Sequence, residues 1–279
     1  MFNEIILDAI RNREAKLAGI RDVNYDRIMA QAGSRWVNYA PRPAKCESAG
    51  IDSSWNKRGF QGLDLYAIAA VAVTSANRQV AREWESSITG VARAEKLDVR
   101  AMAMEARMAR KAVEDPGVDI TCVDGSIVAR ARGSLDAASV LRQYGESVFI
   151  AKTSNSRLQF EDLDSQAGDI YYYGHLDKKA GFSVPQRARF SAGDVYEIYA
   201  RLKDYTPVVR IEIDSASWGV GIDEVKPMLD MLSYHSVAGY PYCLKLAHKT
   251  CKISNEDIDR LASIYSLQNE QGARDALNE

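Results

Sequence analysis

Metal-box cysteines, long apolar runs and an excess of either charge are all missing from this 279-residue chain. Its four cysteines, Cys46, Cys122, Cys243 and Cys251, form no CxxC pair. Cys243, His248 and Cys251 share one segment, which raises a zinc site as a reading, but no fourth ligand stands in a recognisable pattern. Free thiols behave as small hydrophobes, and the expected setting is reduced and cytoplasmic. The longest apolar stretch, Tyr66 to Val73, is strand-sized, well short of the roughly 18 residues that a membrane span needs. No membrane partner is therefore expected. The N-terminal MFNEIILDAIRNREAKL lacks the basic region, apolar core and small-residue cleavage site of a signal peptide. With 36 basic against 38 acidic residues, net charge −2, the chain is not a protein that coats nucleic acid unspecifically. Any such contact is confined to a groove or channel.

What is present is the composition of a soluble globular protein, 46% hydrophobic and 27% charged, with length enough for a sizeable core. Residues 1–45 read as an N-terminal helical arm, with Phe2, Ile5, Ile6, Ala9 and Ile10 on one side of a helix and a proline-broken loop, YAPRPAKCESAG, after it. Residues 46–279 read as the main domain. There, LDLYAIAAVAVTS (63–75) and EWESSIT (83–89) are strands that the polar SANRQ joins as an antiparallel hairpin. AEKLDVRAMAMEARMARKAVED (94–115) is a helix that stops at DPG. Strands are expected at VDITCVDG, at ESVFIAKTS (146–154) carrying Lys152, at DIYYYGHL (169–176) and at PVVRIEID (207–214). The C-terminal part is helical, and its last helix starts at Ser254 with Asp257 three residues on, close to a capping box. A frayed tail, NEQGARDALNE, follows.

Three carboxylates stand out. Leu97, Ala101, Met104, Met108 and Ala112 define the buried stripe of the long helix, and Glu105 projects from that same stripe. A lone carboxylate there is costly unless a cation receives it, and an arginine partner is the plain alternative. Asp52 and Asp124 each follow a strand-like apolar run, in IDSSW and VDGS. Each alone reads as a turn aspartate. Together, strand, hairpin, helix and strand bring the ends of three elements close, and converging carboxylates call for divalent cations. Two ions about 3.5–4 Å apart can activate water and stabilise a leaving oxygen in phosphodiester hydrolysis, and oxygen ligands favour Mg²⁺ or Mn²⁺.

Strand-Asp, hairpin, helix-Glu, strand-Asp resembles the RNase H-like order. More closely, the blocks IDSSW, GLDLYAIAAVAV, MEARMA, VDGSIVAR, VFIAKTSNS and GYPYCLKLAHKTCKIS resemble the NurA family of archaeal nucleases, from about Asp52 to about Ser254. The resemblance implies an α/β fold: an RNase H-like mixed sheet flanked by helices, with N-terminal and C-terminal helical extensions. It implies a Mn²⁺-favouring (or Mg²⁺) two-ion DNA nuclease, a single-strand endonuclease and 5′–3′ exonuclease on single- and double-stranded DNA. The setting it implies is end resection at double-strand breaks, with a HerA-type hexameric ATPase translocase as partner and a homodimer around a DNA channel. Carried over by position, Asp52, Glu105 and Asp124 match the metal-binding acids, Tyr240 and His248 the C-terminal site residues, and Lys152 a lysine after the second acidic block. His248 is also a candidate metal ligand. The first block commonly reads Asp-Gly-Ser, whereas Asp52-Ser53-Ser54 stands here.

Read from the residues alone, His248 suits a metal ligand, an acid–base group or a phosphate donor, with a core histidine as the alternative. Tyr240 suits a phosphate or a base. Lys152 suits transition-state charge or a snorkelling surface role. Lys57, Arg58, Arg130, Arg132, Lys245 and Lys249 are candidates to line a DNA path, and His175 and His235 read as structural. Two other readings stay open: a catalytically inactive RNase H-like scaffold that clamps DNA for a helicase, and RNA as the substrate.

Overall fold

The computed structural model describes residues 2–19, 24–131, 137–188 and 194–267; Arg132 and the C-terminal tail lie outside the described residues. Three helices open the chain, α1 (Phe2–Arg11), α2 (Arg13–Ala18) and α3 (Tyr25–Arg35), and lead into β1 (Trp36–Asn38). Then come β2 (Ser48–Phe60), β3 (Leu63–Thr74), β4 (Gln79–Thr89), α4 (Ala94–Val113) and β5 (Ile120–Asp124). After these stand α5 (Ile127–Ala131), α6 (Ala137–Tyr144), β6 (Val148–Ala151), α7 (Asp169–His175), β7 (Gly181–Ser183), β8 (Gln186–Arg187), β9 (Val195–Arg201) and β10 (Val209–Asp214). The chain closes with α8 (Lys226–Tyr234), the small hairpin β11 (Ser236–Val237) and β12 (Tyr240–Pro241), α9 (Tyr242–Cys251) and α10 (Asn255–Ile264).

Ten strands form one mixed sheet in the order β1-β7-β9-β10-β6-β5-β2-β3-β4, with β8 on β9. Parallel pairing joins β5 to both β2 and β6; the other pairs are antiparallel. The expected hairpin is β3–β4, paired from Asp64↔Thr89 to Val73↔Gln79. Its central strand is an unbroken apolar run because both of its faces are covered. Tyr66, Ile68, Ala70 and Ala72 pack with Met104, Met108 and Ala112 of α4. Val71 and Val73 meet Ala247 and Cys251 of α9, and Leu65 and Ala67 meet Ile258 and Ala262 of α10. Each buried Leu, Ile or Met side chain contributes about 1.5–3 kcal/mol of burial, so the sheet is clamped between two helical layers. The capping box of α10 is formed, with Ser254 Oγ accepting from the Asp257 N–H and the Asp257 carboxylate accepting from the Ser254 N–H.

Two sequence expectations change. DIYYYGHL is the helix α7 rather than a strand. Tyrosine favours strands by propensity, but the buried residues are Asp169, Tyr172 and Tyr173, a helical spacing that docks against Phe160, Tyr199 and Ile28. Tertiary packing overrides propensity there. The strand expected to carry Lys152 ends at Ala151, leaving the lysine on the loop beyond it. Within residues 1–45, α3 packs through Ile28 and Ala32, and β1 joins the sheet through β7.

Candidate metal centre

Register decides which acids meet. In the parallel pair β2–β5, Ile51 lies beside Val123, and both side chains belong to the core on the α4 side. Side chains alternate along a strand, so Asp52 and Asp124, the next residues, turn to the opposite face, where Cys122, Cys243 and Leu244 pack. Helix α9 crosses that face and brings His248 to Asp52, Nδ1 to Oδ2 at 2.9 Å. Asp52, Asp124 and His248 each offer a ligand atom, and the three atoms lie within 4.8 Å of one another. The approach of α9 depends on Gly50. A Cβ there would stand 2.3 Å from the main-chain carbonyl of Cys243, so only glycine lets the helix lie this close to the strand.

Two carboxylates side by side with one imidazole form a donor set that lacks a full counter-charge. Asp52 is buried, and its carboxyl is raised above the usual range by that burial first and by the charge of Asp124 second. It accepts from the Ser53 N–H at 2.8 Å as well as meeting His248. Asp124 accepts from the Tyr240 hydroxyl at 3.0 Å and from Lys152 Nζ at 3.3 Å. Burial and then Asp124 push the Tyr240 phenol well up, so it stays a donor. Lys152 Nζ also sits 4.5 Å from the centre of the Tyr240 ring, a cation–π contact. A ring nitrogen of His248 is the third ligand atom of this group, and the contact with Asp52 fixes the orientation of the ring. Nitrogen and carboxylate donors together suit Mn²⁺ as well as harder ions.

Glu105 is held apart from this group. It is 2% exposed and receives Arg130 Nη2 at 2.8 Å, the Tyr144 hydroxyl at 3.2 Å and the Ser53 hydroxyl at 2.9 Å. Ser53 follows Asp52 on β2 and therefore faces the α4 layer; its hydroxyl joins β2 to Glu105 of α4. The expected convergence of three carboxylates is thus two from the sheet, with the third behind them. Burial raises the Glu105 carboxyl, against the opposing pull of Arg130.

Arg130, read as a DNA contact, turns inward instead. Its side chain is 14% exposed, and it donates to the Asp124 carbonyl at 2.6 Å. The guanidinium lies 5.6 Å from the Phe149 ring centre and 5.9 Å from that of Tyr144. Gly125 makes this possible: its φ of +104° turns the chain sharply after Asp124, and a Cβ there would come 3.0 Å from Arg130 Nη1. The start of α5 is fixed from β10, where Glu212 accepts from the Ser126 hydroxyl at 2.8 Å and the Ile127 N–H at 2.7 Å.

The remaining candidates divide. Lys57 donates to the Ala92 carbonyl at 2.7 Å and to Asp64 at 3.3 Å, and Arg58 pairs with Asp259. Lys245 and Lys249 are exposed on α9. The zinc reading finds no ligand group of its own: among the described residues the ligand atoms that converge are those of Asp52, Asp124 and His248, and the Cys243 and Cys251 thiols are buried. His175 bonds the Tyr171 carbonyl at 2.7 Å, and His235 packs on Tyr234 at 4.5 Å. Sequence reasoning missed Ser53, Tyr144 and Glu212. The serine in Asp-Ser-Ser was a usable signal, but nothing local marks the other two.

Comparison with known proteins agrees with this architecture. A family model described as the NurA domain matches residues 47–253. The DNA double-strand break repair nuclease NurA of Sulfurisphaera tokodaii is 24% identical over 153 residues, which cover 50% of this chain and 43% of that protein. The match therefore spans less than half of that relative's length. The crystal structure of the NurA nuclease from Sulfolobus solfataricus superposes with a TM-score of 0.80 at 18% identity, covering 95% of this chain and 96% of that one. A crystal structure of NurA bound to dAMP and manganese gives a TM-score of 0.63 at 11% identity, covering 98% and 99%.

Proposed function

Because the chain belongs to the NurA family, we propose that it is a metal-dependent DNA nuclease whose cation site is Asp52, Asp124 and His248. The carrying observation is the donor set itself: two carboxylates on adjacent parallel strands and one imidazole, their ligand atoms within 4.8 Å. Burial first and the charge of Asp124 second raise the Asp52 carboxyl, so a cation bound between the two carboxylates would favour their ionised forms. The relatives support the reading, one being called a DNA double-strand break repair nuclease and another having been crystallised with manganese. A divalent ion bound there would supply Lewis-acid stabilisation of a phosphodiester and lower the pKa of a bound water.

The chain's own residues do the rest. Tyr240 orients Asp124 through its hydroxyl. Lys152, on the loop beyond β6, offers a cation to a phosphate oxygen near the same carboxylate. Glu105, Ser53 and Arg130 hold β2, α4 and the turn at Gly125 in register from behind. A second ion, as the two-ion scheme requires, would have to displace Arg130 from Glu105. Single-strand endonuclease and 5′–3′ exonuclease activity, end resection, a HerA-type translocase partner and a homodimer belong to the same reading.

The test is digestion of end-labelled single- and double-stranded DNA with Mn²⁺, with and without the motor, for wild type and Asp124→Asn. Wild type is expected to cut and the variant to lose at least about 100-fold of its rate. Folded wild-type protein that cuts neither substrate, with the motor present, would leave a DNA-clamping scaffold as the function.

A further inference from the structure

Two glutamates face each other across neighbouring strands: Glu197 of β9 is in register with Glu212 of β10. Like charges so placed repel, and both residues are buried. Arg210 answers them, its Nη2 lying 2.7 Å from Glu197 Oε2 and 2.5 Å from Glu212 Oε1. Glu212 stands beside Phe149 of β6, which belongs to the core on the α4 side. Ile211 and Ile213 pack with Leu244 on the α9 side. By alternation the charged unit therefore lies behind the sheet, on the face away from Asp52 and Asp124.

Buried ion pairs of this kind give little net stability over apolar residues of the same volume. This one reaches two loops that carry the site. Glu212 accepts from the Ser126 hydroxyl and the Ile127 N–H, just past Asp124. Arg210 Nη1 donates to Ser154 Oγ at 3.2 Å, and Glu197 Oε2 accepts from the Ser156 hydroxyl at 3.1 Å. Both serines lie just beyond Lys152. The loop is also pressed on the start of α7, since a Cβ on Gly168 would come 2.4 Å from the Ser154 carbonyl. The Lys152 side chain is half exposed, so its place beside Asp124 depends on how this loop leaves β6.

We propose that the Glu197–Arg210–Glu212 unit is a positioning element for Lys152. It anchors the lysine's loop and the turn after Asp124 to one buried guanidinium, and so fixes the ammonium against that carboxylate. Its effect on turnover rests on the nuclease reading, in which Lys152 stabilises charge on the phosphate; its effect on where Lys152 stands does not.

Ser154→Ala/Ser156→Ala tests it, cutting the loop from the unit while Arg210 still pairs both glutamates; Ser154→Ala alone is the milder form should the pair fail to fold. Mn²⁺ binding by calorimetry should be kept. On single-stranded DNA, kcat should fall about 10- to 100-fold, the cost of a displacement of about 1 Å, and KM should hold. In a Lys152→Ala background the serine changes should lower kcat no further. A readout independent of cleavage is the ¹³C NMR signal of dimethylated Lys152, assigned with Lys152→Arg. The Tyr240 ring, 4.5 Å from Nζ, shifts that signal from the ordinary lysine position, and the serine variant should return it there. An unmoved Lys152 signal, an unchanged kcat where wild type cuts, or an equal loss of kcat with and without Lys152 would overturn the proposal. Absent Mn²⁺-dependent cleavage by wild type, with the signal moving as expected, would overturn the nuclease reading alone.

Discussion

Arg130 Nη2 lies 2.8 Å from Glu105 Oε1 and, with the same nitrogen, donates to the main-chain carbonyl of Asp124 at 2.6 Å. One guanidinium thus ties the middle of α4 to the end of β5, beneath the proposed cation site. The pair is close to dry, with side chains 14% and 3% exposed.

Removing one partner of such a pair leaves a buried charge unmatched. Arg130→Met is expected to cost about 3–5 kcal/mol, read from urea denaturation. The double variant Arg130→Met/Glu105→Gln should recover a good part of it, because the stranded carboxylate is gone. Additive losses in the double variant would contradict the coupling.

Gly50→Ala places a methyl 2.3 Å from the Cys243 carbonyl, and backbone cannot yield as a side-chain end does. We expect a loss of about 1–3 kcal/mol from overpacking. We also expect weaker Mn²⁺ binding by calorimetry, since α9 carries His248 away from Asp52. A variant that keeps wild-type metal affinity would show that the close approach does not position the site.

Asp52→Asn tests the metal centre through stability rather than turnover. The Asp52 carboxyl is raised, so its ionised form is less favourable in the fold than in the unfolded chain. That penalty grows as pH rises from the ordinary carboxylate range through the folded value. The neutral variant should therefore be more stable than wild type at neutral pH in EDTA. Mn²⁺ at 100 times its dissociation constant should stabilise wild type by about 2.7 kcal/mol and the variant far less. Equal metal-induced shifts in melting temperature would remove Asp52 from the ligand set.

Away from that centre, Asp169 is fully buried and its carboxyl is pushed up to about 7, first by burial. Its Oδ2 accepts from the Gln159 N–H at 3.0 Å, and among the described residues its Oδ1 has no hydrogen-bond partner. The unfolded side chain ionises near pH 3.9, so between there and about 7 the unfolded state releases a proton that the fold retains. Stability should fall across that window as pH rises, by up to about 4 kcal/mol. Asp169→Asn should flatten the slope and be the more stable protein above about pH 7. Urea midpoints measured across the window decide it.

Much of this protein is determined locally. The apolar run of β3, the stripe of α4, the stop at Asp115-Pro116-Gly117 and the Ser254–Asp257 cap follow from periodicity and backbone chemistry that need only neighbouring residues. The placement of Glu105 on a buried face was legible for the same reason. Tertiary structure decided the rest. Tyr171, Tyr172 and Tyr173 suit strand or helix, and only the aromatic cluster around Phe160 selects the helix. Asp52 and His248 stand 196 residues apart, and they meet because Gly50 admits α9 against β2. Asp52 and Asp124 share a face because Ile51 is in register with Val123, while the intervening layer gives Glu105 to Arg130. Side-chain parity within each strand is written in the sequence. Which strands lie side by side, and which helix covers them, is a long-range packing outcome that no local pattern encodes.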